Sequence, residues 1–307
     1  MKKEIIILIV VIILTLCFWI FFKTGNNTIE ENIEVQNTYA ENNEVTDNTS
    51  EEALQDATMP SEITLYDKED GYFTVEFNKN ANINKYNFEE NLENKNGLYK
   101  YKDENYTSRL GIDLSEYQSN VDWERVKQAG VEFVILRLGY RGYGKAGRLV
   151  LDNKFEEYYH SAIEMGIKVG VYFFSQAINE EEAKQEADLI VSNIKDKNIE
   201  LPIFFDLEKI KNADGRANEL NKEEITRITH AFCNAIKENG YTPGIYGISK
   251  SYTTRLNLEE FNDTTKWHAE YSEKPLYPYE FEFWQYTESG TVPGINGNVD
   301  IDLWFIK

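Results

Sequence analysis

Residues 201–208 read LPIFFDLE. The stretch is short, apolar and rich in aromatic and β-branched residues, as a buried strand would be. Yet it ends on two carboxylates two positions apart, Asp206 and Glu208. An ionised carboxylate in apolar surroundings is costly unless something specific uses it. Side chains alternate across a strand, so Ile203, Phe205 and Leu207 share one face and Phe204, Asp206 and Glu208 share the other. Any fold assigned to the chain has to give that second face a place where acids are useful.

A regular rhythm surrounds this strand. RLGID (109–113) reads as a short strand and VDWERVKQAG (121–130) as a helix stopped by glycine. VEFVILRLGY (131–140) is a strand, LDNKFEEYYHSAIEMG (151–166) a helix, and IKVGVYFFS (167–175) a strand. EEEAKQEADLIVSNIKD (180–196) is a helix, followed by LPIFFDLE itself. NKEEITRITHAFCNAIKENG (221–240) is a helix and TPGIYGIS (242–249) a strand. KWHAEYS, FEFWQYTE and GNVDIDLWF then read as three further strands with little helix between them. Alternating strands and helices predict parallel βα units. Their number suits a barrel whose last helices are lost or shortened, with an open doubly wound sheet as the alternative. No glycine fingerprint of a dinucleotide site follows the first strand.

In a barrel the apolar face of PIFFDLE meets the outer helices, and the acids point inward at the C-terminal mouth, where such folds build their sites. Asp113, in GIDLSEYQ, and Asp300, in NVDIDLW, stand at comparable strand ends, so several strands bring a carboxylate toward one mouth. Asp302 is read as a strand terminus or ion-pair partner. Clustered carboxylates repel, which raises the pKa of at least one. A neutral carboxylic acid beside an ionised one is the pairing used for glycosidic cleavage. Aromatic faces stack on sugar rings, and Tyr117, Tyr140, Tyr172, Tyr246, Trp267, Tyr271, Trp284 and Tyr286 flank the acids as candidate substrate contacts. Each of them taken singly is also a natural core residue. Phe174 and Trp304 are assigned to the core, whereas 284–286 (WQY) is read as facing the cleft.

The ordered set GIDLSEYQ, FVILRLGY, GVYFFS, FFDLE, GIYG, WHAEY, WQYTESG and GNVDIDLW resembles glycoside hydrolase family 25, the Chalaropsis-type lysozymes, over residues of about 110–305. The resemblance implies N-acetylmuramidase activity on peptidoglycan, acting on the β-1,4 bond between N-acetylmuramic acid and N-acetylglucosamine. It also implies a modified TIM-like barrel of the α/β class, with five βα units followed by three strands. Carried over by motif, Glu208 is the general acid. Asp206 is its partner, as base or by orienting the substrate's N-acetyl group, and Asp113 and Asp300 complete the acidic mouth. The family's pattern commonly has glycine where this chain has Ser119.

The rest of the 307-residue chain is read as tether and accessory. From 5 to 22 nothing is charged, and about 18 apolar residues span ~27 Å as a helix, close to the bilayer's hydrocarbon thickness. Residues 1–23 are therefore read as a membrane anchor. Lys2 and Lys3 place its start in the cytoplasm, and the rest of the chain lies outside. A cleaved signal peptide, giving a secreted protein, is the alternative. Residues 24–60, rich in Asn, Glu and Thr, are read as a disordered acidic linker. Residues 61–108 form a small β-rich accessory segment whose ITLYDKEDGYFTVEF is a hairpin. Residues 109–307 are the barrel.

The formal net charge of −21 argues against nucleic acid as a partner, and no obligate protein partner is legible. Cys17 and Cys233 are too few for a disulfide framework, and Cys233 is read as a buried apolar residue. His160, His230 and His268 show no metal-ligand spacing, so neither metal nor cofactor is expected, and a carboxylate-bound divalent metal stands as a lesser alternative. A non-catalytic wall-binding module that uses the same cleft is the other competing function.

Overall fold

The computed structural model describes residues 60–68, 71–211 and 213–307. In these residues the strand–helix rhythm closes on itself. Two hairpins come first: β1 (Glu62–Asp67) with β2 (Gly71–Glu76), and, after the short helix α1 (Phe88–Asn91), β3 (Leu92–Lys95) with β4 (Leu98–Tyr101). Then follow β5 (Thr107–Leu114), α2 (Trp123–Gln128), β6 (Phe133–Arg141), β7 (Leu149–Leu151), α3 (Phe155–Glu164), β8 (Lys168–Phe174), α4 (Glu180–Ile194), β9 (Ile203–Asp206), α5 (Lys222–Glu238), β10 (Pro243–Ile248) and α6 (Ser249–Arg255). β11 (Thr265–Ala269), β12 (Phe283–Gly290) and β13 (Val299–Ile306) end the chain.

Strands β5, β6, β8, β9, β10, β11, β12 and β13 are neighbours in that order, and β13 returns to β5, so eight strands make a closed barrel. Five of them are followed by a helix and the last three are not, as expected of the barrel reading. The short α6 was not legible in the sequence, because only Ser249 and Tyr252 of its residues are buried and no apolar stripe marks it. β7 adds to the edge of β6 as an antiparallel ribbon.

The strand direction of β13 decides where its acids lie. It runs antiparallel to both β12 and β5, whereas the other barrel neighbours are parallel. Its first residues, not its last, therefore sit at the mouth. Asp300 pairs with Asp113, and Asp302 sits one step deeper, opposite Gly111.

Alternation divides the apolar residues into two cores. Phe133, Ile135, Leu201, Phe204, Trp267 and Phe283 fill the barrel interior. Their strand neighbours face outward, as where Phe205 packs on Phe232 of α5 with ring centroids 4.7 Å apart. The interior aromatics are accommodated by glycines on adjacent strands. A Cβ on Gly111 would lie 2.2 Å from the Phe133 ring, and one on Gly244 would lie 2.4 Å from Phe204. α5 is held at its start by a capping box between Asn221 and Glu224, which satisfies donors a helix otherwise leaves orphaned.

β11 to β13 lack helices on their outer faces, and the N-terminal segment takes that role. Tyr86 stacks on Phe305 at 4.3 Å, Phe77 on Tyr279 at 5.7 Å and Phe88 on Phe281 at 6.1 Å. Tyr99 lies against Trp284 at 5.4 Å and Tyr286 at 4.9 Å. This aromatic layer belongs to the same continuous core as the barrel–helix interface. It also corrects the reading of 284–286. Trp284 and Tyr286 point away from the cleft, into the N-terminal cover, and the Trp284 indole donates to the Glu270 carbonyl at 2.9 Å.

The apolar run at 5–22 and nearly all of the acidic linker lie outside the described residues. Among the described residues no helix is long and apolar enough to cross a membrane. Cys233 is buried, and burial pushes its thiol up to about 12.

Gly111→Ala should drive a methyl group into the Phe133 ring. The expected cost is about 1–3 kcal/mol of stability, measured as a fall in the denaturant midpoint, whereas an unchanged midpoint would mean that the barrel floor is loosely packed.

Candidate active site

The aromatic floor creates a dry base on which the acids sit. The Trp267 indole donates to Asp302 Oδ1 at 2.8 Å inside the barrel. Trp267 is thus part of the floor, buried among Phe204, Tyr172 and Tyr246, and not a substrate platform. Asp302 is fully buried and serves that floor. Trp304, assigned to the core, stacks on Phe283 at 5.6 Å at the closed end. Phe174, also assigned to the core, is half-buried on the inward face it shares with Tyr172.

Above the floor the structure brings Asp113, Asp206, Glu208 and Asp300 together. Asp206 ends β9 and is flanked by Tyr246 of β10 and Phe174 of β8. Glu208 follows two residues on and faces a cleft of about 620 Å³, which Tyr246, Tyr271, Gln285, Arg255 and Asp300 also line. Asp113 and Asp300 interact directly across β5 and β13.

Each of these acids holds its proton more tightly than an ordinary carboxylate, and burial is the main cause in every case. Glu208 is pushed up to about 7, lifted further by Asp300 and drawn back by the Arg255 cation. Asp300 rises to about 6, eased by its hydrogen bond with Asp113. Asp113 is raised by burial and then by Asp300 and Asp302. Asp206 is raised by burial and by Glu208, against the pull of Arg137. Asp206 Oδ1 is buried without a hydrogen-bond partner. Such an orphan costs free energy in a finished interior, and it is explained if a bound molecule completes it.

Three polar residues organise this mouth: Gln285, the one member of 284–286 that does face the cleft, and Arg137 and Arg255, which the sequence reading passed over. Gln285 is the inward residue between the two outward aromatics of β12. Its Oε1 accepts from the hydroxyls of Tyr246 at 2.9 Å and Tyr271 at 2.8 Å, and its Nε2 donates to Asp113 Oδ2 at 2.7 Å. Two donors on one oxygen fix the orientation of the amide. Arg137 points inward from β6. Its Nε donates to Asp152 Oδ2 at 2.7 Å and its guanidinium lies over Tyr117 at 4.9 Å and Tyr140 at 5.4 Å. Arg255, at the end of α6, lines the cleft and faces Glu208. The sequence did carry a signal for Arg137, since FVILRLGY holds a charge in an apolar strand just as FFDLE does.

The expected aromatic contacts therefore separate. Tyr246 and Tyr271 line the cleft. Tyr117, 79% exposed, and half-buried Tyr140 stand at the opposite rim around Arg137. Tyr172 lies deeper, half-buried against Trp267. Ser119 ends the short 3₁₀ helix Glu116–Gln118 at φ +55°, a region that favours glycine, and its carbonyl accepts from the Tyr158 hydroxyl at 2.6 Å. Among the described residues, no group of three His, Cys, Asp or Glu side chains is arranged to hold a metal ion.

This barrel with an acidic mouth is that of a glycosidase family. The sequence profile of glycosyl hydrolases family 25 matches residues 112–295, and the chain belongs to that family. It is 26% identical over 193 residues to the autolytic lysozyme of Clostridium acetobutylicum, an alignment covering 62% of this chain and 54% of that protein. The chain thus spans about half the length of this relative. Two solved structures share the fold. The modular autolysin LytC of Streptococcus pneumoniae superposes with a TM-score of 0.59 at 23% identity, covering 80% of this chain and 57% of that one. A family 25 glycosyl hydrolase of Bacillus anthracis superposes with a TM-score of 0.55 at 20% identity, covering 69% and 94%.

The raised acids have a thermodynamic signature. Their folded-state pKa values lie above those of the unfolded chain, so the folded state binds more protons between about pH 4 and pH 7. Stability then falls as pH rises through that window. Calorimetry should give a melting temperature that declines from pH 5 to pH 8, with a shallower decline in Asp206→Asn. An equal slope in wild type and variant would contradict the shared burial of these acids.

Proposed function

We propose that the protein is a peptidoglycan hydrolase of the lysozyme type. It cleaves the β-1,4 bond between N-acetylmuramic acid and N-acetylglucosamine in glycan strands. The observation that carries this reading is the inward pair Asp206 and Glu208 at a barrel mouth, with Glu208 held near pH 7 beside a sugar-sized cleft. Membership of the family and similarity to an autolytic lysozyme support it.

Glu208 is the general acid. Burial keeps it protonated near neutrality, and Arg255 prevents its pKa from climbing further, so the proton remains transferable. Donation to the glycosidic oxygen lets the bond break as positive charge develops on the sugar ring. Asp206 is the partner that faces this charge. It activates a water or orients the substrate's own acetamido group; burial and the neighbouring Glu208 raise its pKa, and Arg137 opposes that rise. Asp113 and Asp300 share a hydrogen bond and hold the negative potential of the mouth. Tyr246 and Tyr271, fixed through Gln285, present ring surface and hydroxyls to the sugar.

The apolar run at 5–22 supports an uncleaved membrane anchor with the barrel on the outer side of the membrane, within reach of the wall. An intact N-terminal peptide on the mature protein is the expected result, and a cleaved one would make the protein secreted.

Mass spectrometry of muropeptides released from purified peptidoglycan tests enzyme against binder. Wild type should yield products with reducing N-acetylmuramic acid ends, and Glu208→Gln should lower their rate of release by about 10²–10⁴-fold. Binding without products in wild type would establish the non-catalytic wall module. Undiminished release by Glu208→Gln would remove that residue from the chemistry.

A further inference from the structure

The hairpin β1–β2 lies outside the segment matched by the family profile, yet it forms one wall of the cleft. Tyr66, Asp67 and Lys68 line the same space as Glu208 and Asp300. The hairpin is fixed there from both sides. Lys68 pairs with Glu288 of β12, and its ammonium lies 5.3 Å from the Tyr271 ring centroid. Lys250 of α6 reaches the Phe73 ring at 6.0 Å.

Charge is sorted within this cleft. The acids of the mouth stand at strand ends, buried. The cations stand on other elements: Lys68 on the hairpin, Lys209 and Lys211 on the segment after β9, and Lys250 and Arg255 on α6. The remaining acids near the rim are engaged within the protein. Glu270 accepts from Ser272 Oγ at 3.0 Å and from the Leu276 amide at 2.9 Å, and Glu288 holds Lys68. Five cationic side chains thus line the cleft beside five acids: Asp67, Glu208, Glu270 and Asp300 lie inward, and Glu288 is matched by Lys68.

We propose that the β1–β2 hairpin, the segment after β9 and α6 form an outer subsite that takes the carboxylates of the peptide arms carried by the glycan strand. This rests on the peptidoglycan reading given above. A neutral sugar ring is compatible with the acidic mouth, whereas a further anion there would crowd the buried carboxyl cluster and be repelled by those of its members that are ionised. Anionic parts of the substrate are thereby directed outward, to the lysines on the rim. The hairpin then acts as a specificity element. It favours strands bearing free carboxylates over strands in which they are blocked, and its contribution is screened by salt.

The test uses the intact chain and sacculi stripped of phosphate-containing wall polymers. One portion keeps its carboxylates and the other is amidated with carbodiimide and ammonia. The release of reducing ends is compared for wild type and for the double variant Lys68→Gln, Lys209→Gln. For wild type, amidation should lower kcat/KM about five- to tenfold, mainly through KM. For the double variant it should lower kcat/KM less than twofold, as expected for exposed ion pairs of modest individual strength. Equal cleavage of both walls by wild type, or the same loss in wild type and variant, overturns the subsite alone. No cleavage of either wall by wild type overturns the peptidoglycan reading, and the subsite with it.

Discussion

Carboxylates that must share one buried mouth are the constraint on which the rest of this structure depends. Burial raises all four, and repulsion from a neighbouring acid adds to it for Asp113, Asp206 and Glu208. The cost is tolerable because each acid is braced from a different element of the barrel. Gln285 donates to Asp113, Asp113 bonds to Asp300, Arg137 offsets Asp206 and Arg255 offsets Glu208. The aromatic floor keeps water out from below, and the antiparallel β13 delivers Asp300 to the same end as Asp113. A fully parallel barrel would have buried Asp300 at the opposite end.

The N-terminal segment follows from a second constraint. A barrel whose last three strands carry no helices exposes apolar faces that need a cover. Aromatic residues of the second hairpin and of the stretch between the two hairpins provide it, and the first hairpin reaches over the rim to complete the cleft wall. Packing and the cleft wall are thereby linked in one stretch of about 45 residues that the family profile does not match.

Period-two alternation made the strands and their inward acids legible, because LPIFFDLE, FVILRLGY and GVYFFS are short, apolar and bounded by turn residues. The order of the motifs pointed to the closed barrel. The direction of β13 was not legible, since a strand's sequence is silent about the direction of its neighbours. Trp284 and Tyr286 were misread for a related reason. Alternation puts Gln285 opposite to them, but which face meets the cleft depended on a distant aromatic cover that local sequence does not display. Trp267 is on the inward face as expected, but too deep, where its indole serves Asp302. Gln285, Arg137 and Arg255 act through partners far away in sequence, and single-residue reading favours acids over the groups that tune them.

The central claim is that the barrel mouth raises Glu208 to a pKa near 7, so that a large share of it keeps its proton at neutral pH. Carboxyl carbon NMR on protein labelled at glutamate, with Glu208→Gln identifying the resonance, measures this directly. The account predicts a titration midpoint near 7. A midpoint at the ordinary glutamate value of about 4.5 would contradict it.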